Sequence, residues 1–198
     1  MRSGSLRRRG AALALGLTLV LRAGVAAAAE PMPLKADLQV PLILKILTYD
    51  RHFDSKAGRE VAIGIVYAPE DPASVNAANQ IFETLYRFSD KTVKRLPIKY
   101  HLLEYGGPER LERSILDRNI SVLYVAPGNA KNLEAVTKVS QARGVTTATG
   151  VPDYVRRGVA VGIGMADDRP QILINLNSAR AEGSEFDASL LRIATVVK

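Results

Sequence analysis

The pattern of apolar and polar positions along this chain divides it into short, nearly continuous apolar runs separated by longer amphipathic ones. Leu34 to Tyr49 carries Leu38, Val40, Leu42, Ile43, Leu44, Ile46 and Leu47, apolar on nearly every side of a helix. Such a helix belongs in a core or an interface. Pro41 lies within it, so the helix is expected to start or kink there. Val61–Tyr67 (VAIGIVY), Ile98–Glu104, Ile120–Ala126 and Val145–Ala148 read as strands. The nearly continuous apolar run Val61–Tyr67 suits a strand covered on both faces of a parallel sheet, and Ile120–Ala126 is the most hydrophobic of the four. Between them, residues 73–88, 109–118 and 130–142 repeat apolar residues at helical spacing, and Arg143–Gly144 ends the last in the order cation, then glycine. Strands alternating with helices of this length predict βαβ units with right-handed crossovers.

The rhythm changes near the end. Val159–Met165 and Gln171–Asn175 flank Ala166–Asp167–Asp168–Arg169–Pro170, which reads as a hairpin with a short polar turn. A short helical stretch with Ala179 and Arg180 stops at Gly183, and a second amphipathic segment with Phe186, Leu190, Leu191, Ile193 and Ala194 follows. The expected fold is one three-layer α/β domain: a mostly parallel sheet flanked by helices, with a C-terminal β-hairpin.

The N-terminus changes how the charge is read. Arg2, Arg7, Arg8 and Arg9 precede an apolar run, Ala11–Leu21, and the small residues Ala26–Ala29. This is the layout of a secretory signal peptide, residues 1–29, cleaved before Glu30 and followed by one domain, residues 30–198. Eleven apolar residues fall short of the ~20 that span a bilayer. The whole chain carries 27 basic and 20 acidic residues. Removing the segment with Arg2, Arg7, Arg8, Arg9 and Arg22 leaves 22 against 20, so the basic character is largely a targeting feature. It gives no support to nucleic-acid binding, which needs a basic patch on the folded domain. The expected compartment is the periplasm. There is no Cys and only two His, His52 and His101. Disulfides are therefore excluded, and a transition-metal site has almost no ligands to draw on.

Ligands of open α/β sheets bind beyond the carboxyl ends of the strands. There, Gly128 and Asn129 form either a plain turn or an anion cradle made of backbone amides. Tyr154, Arg156 and Arg157 precede Gly158 in a segment that is either a solvated helical turn or a site for an acidic ligand. No G-x-G-x-x-G, P-loop or G-x-S-x-G occurs, so no cofactor is expected. Neither histidine sits beside a credible nucleophile, and Asp167–Asp168 fall in a turn where Asp is ordinary, so no enzymatic activity is expected. The apolar surplus on the first helix makes Leu42, Leu44 and Leu47 candidates for contact with a partner, and self-association through that helix fits the pattern equally.

The C-terminal stretch ILINLNSARAEGSEFDASLLRIA, the IGIVY strand and the Thr149–Gly158 passage resemble the YfiR-like family of exported bacterial proteins. That resemblance implies a single α/β domain in the periplasm. It also implies a regulator that binds the periplasmic domain of a membrane diguanylate cyclase and so alters cyclic-di-GMP signalling. The namesake's cysteines have no counterpart in this chain. A different partner, such as a histidine kinase or an outer-membrane receptor, is compatible with a first helix that reads QVPLILKILTYDRHF. The alternative is a small-molecule-binding component of a transport or receptor system.

Overall fold

Continuous apolar runs build the middle of the sheet. In the computed structural model, which describes residues 32–197, Val61–Tyr67 forms β1 and Val122–Val125 forms β4, side by side and parallel. Nearly every residue in both is buried, because helices cover both faces. Leu96–Glu104 (β3) pairs in parallel on the other side of β1, and Thr146–Thr149 (β5) and Val161–Ala166 (β6) extend the sheet beyond β4. The hairpin partner of β6 is Arg169–Asn175 (β7), antiparallel, with Val161 opposite Ile174. Asp167 and Asp168 make its two-residue turn, both at positive φ. Thr92–Val93 (β2) and Thr195–Val197 (β8) complete the eight-stranded order β2-β3-β1-β4-β5-β6-β7-β8.

The helices form two outer layers. Ala36–Leu47 (α1) and Pro72–Arg87 (α3) cover one face, where Val40, Ile43, Ile46, Leu47, Ile81 and Leu85 meet Ile63 and Ile65 of β1. Pro108–Asp117 (α4), Leu133–Arg143 (α5) and the short Pro152–Arg156 (α6) cover the other, with Leu111, Ile115, Val136 and Tyr154 on Ala62, Val66 and Leu123. Asp71 starts α3 by accepting from Ala73 N at 2.9 Å, and Gly144 ends α5 in the left-handed region.

Several expectations are corrected. The first helix begins at Ala36 rather than at Pro41, which lies inside it; the proline removes a single backbone donor while Val40, Ile43, Ile46 and Leu47 hold the helix on the sheet. The third long helix opens as a 3-10 turn over Ala130–Asn132. A separate turn of helix, Phe53–Ala57 (α2), stands between α1 and β1 where no element is expected, anchored by the buried Phe53. After β7 the chain forms Leu176–Ala181 (α7), and the expected second amphipathic segment is only one turn, Ala188–Leu191 (α8). It then becomes strand β8, parallel to β7. The expected signal peptide lies outside the described residues. Among the described residues, no helix is long and apolar enough to cross a membrane.

Candidate functional site

The direction of connection reverses between β1 and β4: the chain leaves β1 toward β3 and leaves β4 toward β5. Doubly wound sheets open a crevice beyond the carboxyl ends of the two strands at such a point. Here the crevice is bounded by Ala68–Asp71 after β1 and Ala126–Asn129 after β4, and the chain's own side chains fill it. Asn129 Nδ2 donates to Ala126 O at 3.0 Å and to Val66 O at 3.3 Å, tying the two strand ends together. Its backbone N–H donates to Tyr154 Oη at 2.8 Å. Tyr154, at 1% exposure, lies in the core beneath it. Gly128 sits at φ +83°, and a Cβ there would lie 2.4 Å from Asp71 Oδ2. Ser74 Oγ accepts from Ala68 N at 2.9 Å and closes the other wall.

Three of the five residues considered for ligand binding, Gly128, Asn129 and Tyr154, therefore do meet, but in a buried hydrogen-bonded knot. The anion cradle is corrected by this geometry: a tyrosine hydroxyl takes the Asn129 amide, and a carboxylate rather than an open space covers Gly128. Arg156 stands apart, exposed on α6. Arg157 turns back to donate to Ala130 O.

A second buried knot pins α1 over the same end of the sheet. Tyr124 Oη donates to Gln39 Oε1 at 2.7 Å, and Gln39 Nε2 donates to Leu34 O. Burial raises the tyrosine's pKa well above its ordinary value. Gly150 makes room for the amide, since a Cβ there would sit 2.2 Å from Gln39 Oε1. On α1 itself, Leu44 and Leu47 are 8% and 1% exposed and point into the core, while Leu42 is half-buried. The expected contact face is corrected accordingly. The apolar surplus of this helix is consumed by the sheet, and its exposed apolar residue is Leu38, 55% exposed. Asp37, next to it, accepts from Thr84 Oγ1 and Arg87 at the end of α3, where Tyr86 is 67% exposed.

The opposite end of the sheet carries polar chemistry that has no signal in the sequence. Glu182, just after α7, is fully buried. It accepts from Thr147 N at 2.8 Å and Thr147 Oγ1 at 2.6 Å, and lies 3.0 Å from Ser140 Oγ. Burial outweighs these bonds and pushes its pKa up to about 7. The Ser140 hydroxyl has one hydrogen for two acceptors, Thr137 O and Glu182, a conflict that a protonated Glu182 removes by donating to Ser140. Beside it, Lys56 Nζ donates to Thr146 Oγ1 at 2.6 Å and Ser184 Oγ at 2.7 Å and lies 3.8 Å from the buried Asp50 Oδ2. Desolvation lowers the lysine's pKa, against the pull of Asp50 and Glu182. Asp50 Oδ1 accepts from the N–H groups of His52 and Glu185. Apart from the local contacts of Asp50 with His52 and Lys56, these partners lie 35 to 135 residues apart in sequence, so no local motif announces them. His52 is exposed beside Glu185, and His101 is only partly buried on β3, its pKa lowered by desolvation and by Arg118. Among the described residues, no group of His, Cys, Asp and Glu is arranged to hold a metal.

The YfiR/HmsC-like family pattern matches residues 37–195, from the first turn of α1 into β8. The chain belongs to the YfiR/HmsC-like family. No functionally curated protein matches it. The fold is similar to that of a conserved domain protein from Vibrio cholerae (TM-score 0.59, 16% identity, 82% of this chain and 60% of that one). It is also similar to the ABC domain in complex with L-Trp from Streptococcus pneumonia (TM-score 0.59, 13% identity, 83% and 60%). A substrate-binding protein with adhesive properties from Clostridium difficile shares the fold as well (TM-score 0.52, 16% identity, 74% and 57%). This YfiR/HmsC-like chain thus spans about three-fifths of the length of these structures, and at such identities they share its fold alone.

Proposed function

We propose that this YfiR/HmsC-like protein is a periplasmic regulator that acts by binding the periplasmic part of a membrane signalling protein, a diguanylate cyclase or a histidine kinase, without turnover of its own. The observation that carries this reading is the filled crevice at the β1/β4 reversal. Where an α/β sheet would hold a small ligand, Asn129, Tyr154 and Asp71 occupy the space. That favours a function exerted through the surface, as family membership also suggests. The contact surface in this proposal is the junction of α1 and α3, with Leu38, Leu42 and Tyr86 around the Asp37–Arg87 ion pair. Exposed apolar side chains gathered around a polar anchor are typical of interfaces. Arg156 and a homodimer through α1 remain part of the proposal as secondary contacts.

A small-molecule-binding component of a transport or receptor system is the second reading. The fold likeness to a substrate-binding protein favours it, and the filled crevice weighs against it.

Titration calorimetry with purified periplasmic domains of membrane diguanylate cyclases and histidine kinases from the same organism tests the proposal. Leu38→Asp is expected to weaken that complex about tenfold, in line with loss of an apolar anchor, with no change in melting temperature. Absence of a complex with either partner class, together with unchanged cyclic-di-GMP on gene deletion, would overturn the reading.

A further inference from the structure

Two cavities open at the amino ends of the strands, opposite the filled crevice. One, of about 610 Å3, lies between the α2–β1 connection and the end of α4, with Ile115 and Leu116 as its apolar floor and Lys56, Arg59 and Arg143 on its walls. The other, of about 580 Å3, lies against the β2–β3 turn, with Lys94, Arg95 and Leu96. Gly58 lines both, so they form one groove across the starts of β1 and β3. Five cations line it against two carboxylates, Asp54 and Glu60. Over residues 32–197 basic residues exceed acidic ones by only two, so the groove holds more positive charge than the described chain has to spare.

The cations differ in how they are engaged. Lys56 is held by Thr146 and Ser184, Lys94 by Asp50 O and Asp54, and Arg143 by Glu112. Arg59 and Arg95 are exposed and have no ion-pair partner among the described residues. Arg95 is also held at a cost. Lys94 and Arg95 form the two-residue turn between β2 and β3 at φ 48° and 70°, positions where Asn-Gly is the unstrained choice.

We infer that this groove receives an acidic, extended peptide segment of the protein partner, with Arg59 and Arg95 as the guanidinium groups that take its carboxylates. The inference rests on the partner-binding reading above and adds a second contact to it. A forked guanidinium pairs a carboxylate through two parallel hydrogen bonds, and the apolar floor takes the aliphatic part of the side chains. The groove is longer than one small anion requires. It is also concave, whereas a membrane surface meets protruding cations, so a peptide fits better than a bilayer.

Fluorescence anisotropy of labelled octaglutamate with the mature protein tests this. Binding is expected to saturate and to weaken with added salt. Arg59→Glu and Arg95→Glu should each weaken it about tenfold, while Arg169→Glu, the same charge change at the β6–β7 turn, should alter it less than about twofold. All three sites are exposed, so melting temperatures should match the wild type. Equal losses in all three variants, or none in any, would overturn the inference. So would Arg59- and Arg95-dependent binding of phosphatidylglycerol vesicles or inorganic phosphate without binding of the peptide. The partner complex is measured on the same variants. If it forms with undiminished affinity in Arg59→Glu and Arg95→Glu, the groove fails and the partner reading stands. If the wild type forms none, the partner reading fails first.

Discussion

At the scale of single residues, the chain spends buried polar groups to fix geometry at both ends of its sheet, and the cost of Glu182 changes with pH near neutrality. Its pKa in the folded protein, about 7, lies above its ordinary value because burial disfavours the carboxylate. Between the two values the folded state keeps a proton that the unfolded chain has released. Stability contributed by this group is therefore complete in acid and is lost as pH rises through 7. The loss amounts to about 3 kcal/mol at most. Chemical denaturation at pH 5 and pH 8 should show that fall in the wild type, and Glu182→Gln should flatten it. Gln suits the site: its oxygen can take the Thr147 N–H and its amide can donate toward Ser140 Oγ and Thr147 Oγ1. A variant with the same pH slope as the wild type would place the titrating group elsewhere. None of this was legible in the sequence, where Glu182 follows a short helix and precedes Gly183 like any solvated carboxylate. Burial is a tertiary fact, set by Thr147 and Ser140 some 35 and 42 residues away.

At the scale of elements, legibility followed length. The helices α3, α4 and α5 were readable because each repeats the helical period over ten residues or more, and the strands β1 and β4 because each lies in a short apolar run closed by turn residues. The two-residue β2 and the three-residue β8 carry no period at all. The C-terminal segment misleads for a physical reason: Leu190, Leu191 and Ala194 have helical spacing, yet the β-branched run Thr195–Val197 pulls the chain into a strand beside β7. The turn that remains still matters. Leu190 is buried against the α1 side of the core, whereas Leu191 is only half-buried. Leu190→Ala should cost about 2–5 kcal/mol and Leu191→Ala distinctly less. Thermal or urea unfolding of the pair checks this, and equal costs would contradict the packing. The same logic separates the faces of α1. Leu47→Asp buries an unpaired charge and should abolish folding, while Leu38→Asp should leave the melting temperature unchanged.

At the scale of the whole molecule, the sheet has one end sealed by the Asn129–Tyr154 contact and another organised around Glu182, Lys56 and Asp50. Strand β5 runs between them, from Thr146 and Thr147 to Thr149, and the two knots share no hydrogen-bonding group. Tyr154→Phe removes the hydroxyl and leaves the buried Asn129 amide without that acceptor, which should cost about 1–3 kcal/mol. That loss involves no group titrating between pH 5 and 8, so it should be the same at both. Glu182→Gln should instead gain stability at pH 8 and change little at pH 5, where the wild-type carboxyl is already protonated. Sites that share no partner add. The double variant should therefore show the Tyr154→Phe cost at pH 5 and the sum of both effects at pH 8, to within about 0.5 kcal/mol. It should also unfold in one transition, because a single core on each face of one sheet ties the two ends together. Denaturant titrations of the four proteins at two pH values decide it. A pH-dependent cost for Tyr154→Phe, or a non-additive double variant, would mean that the ends of the sheet are coupled through β5.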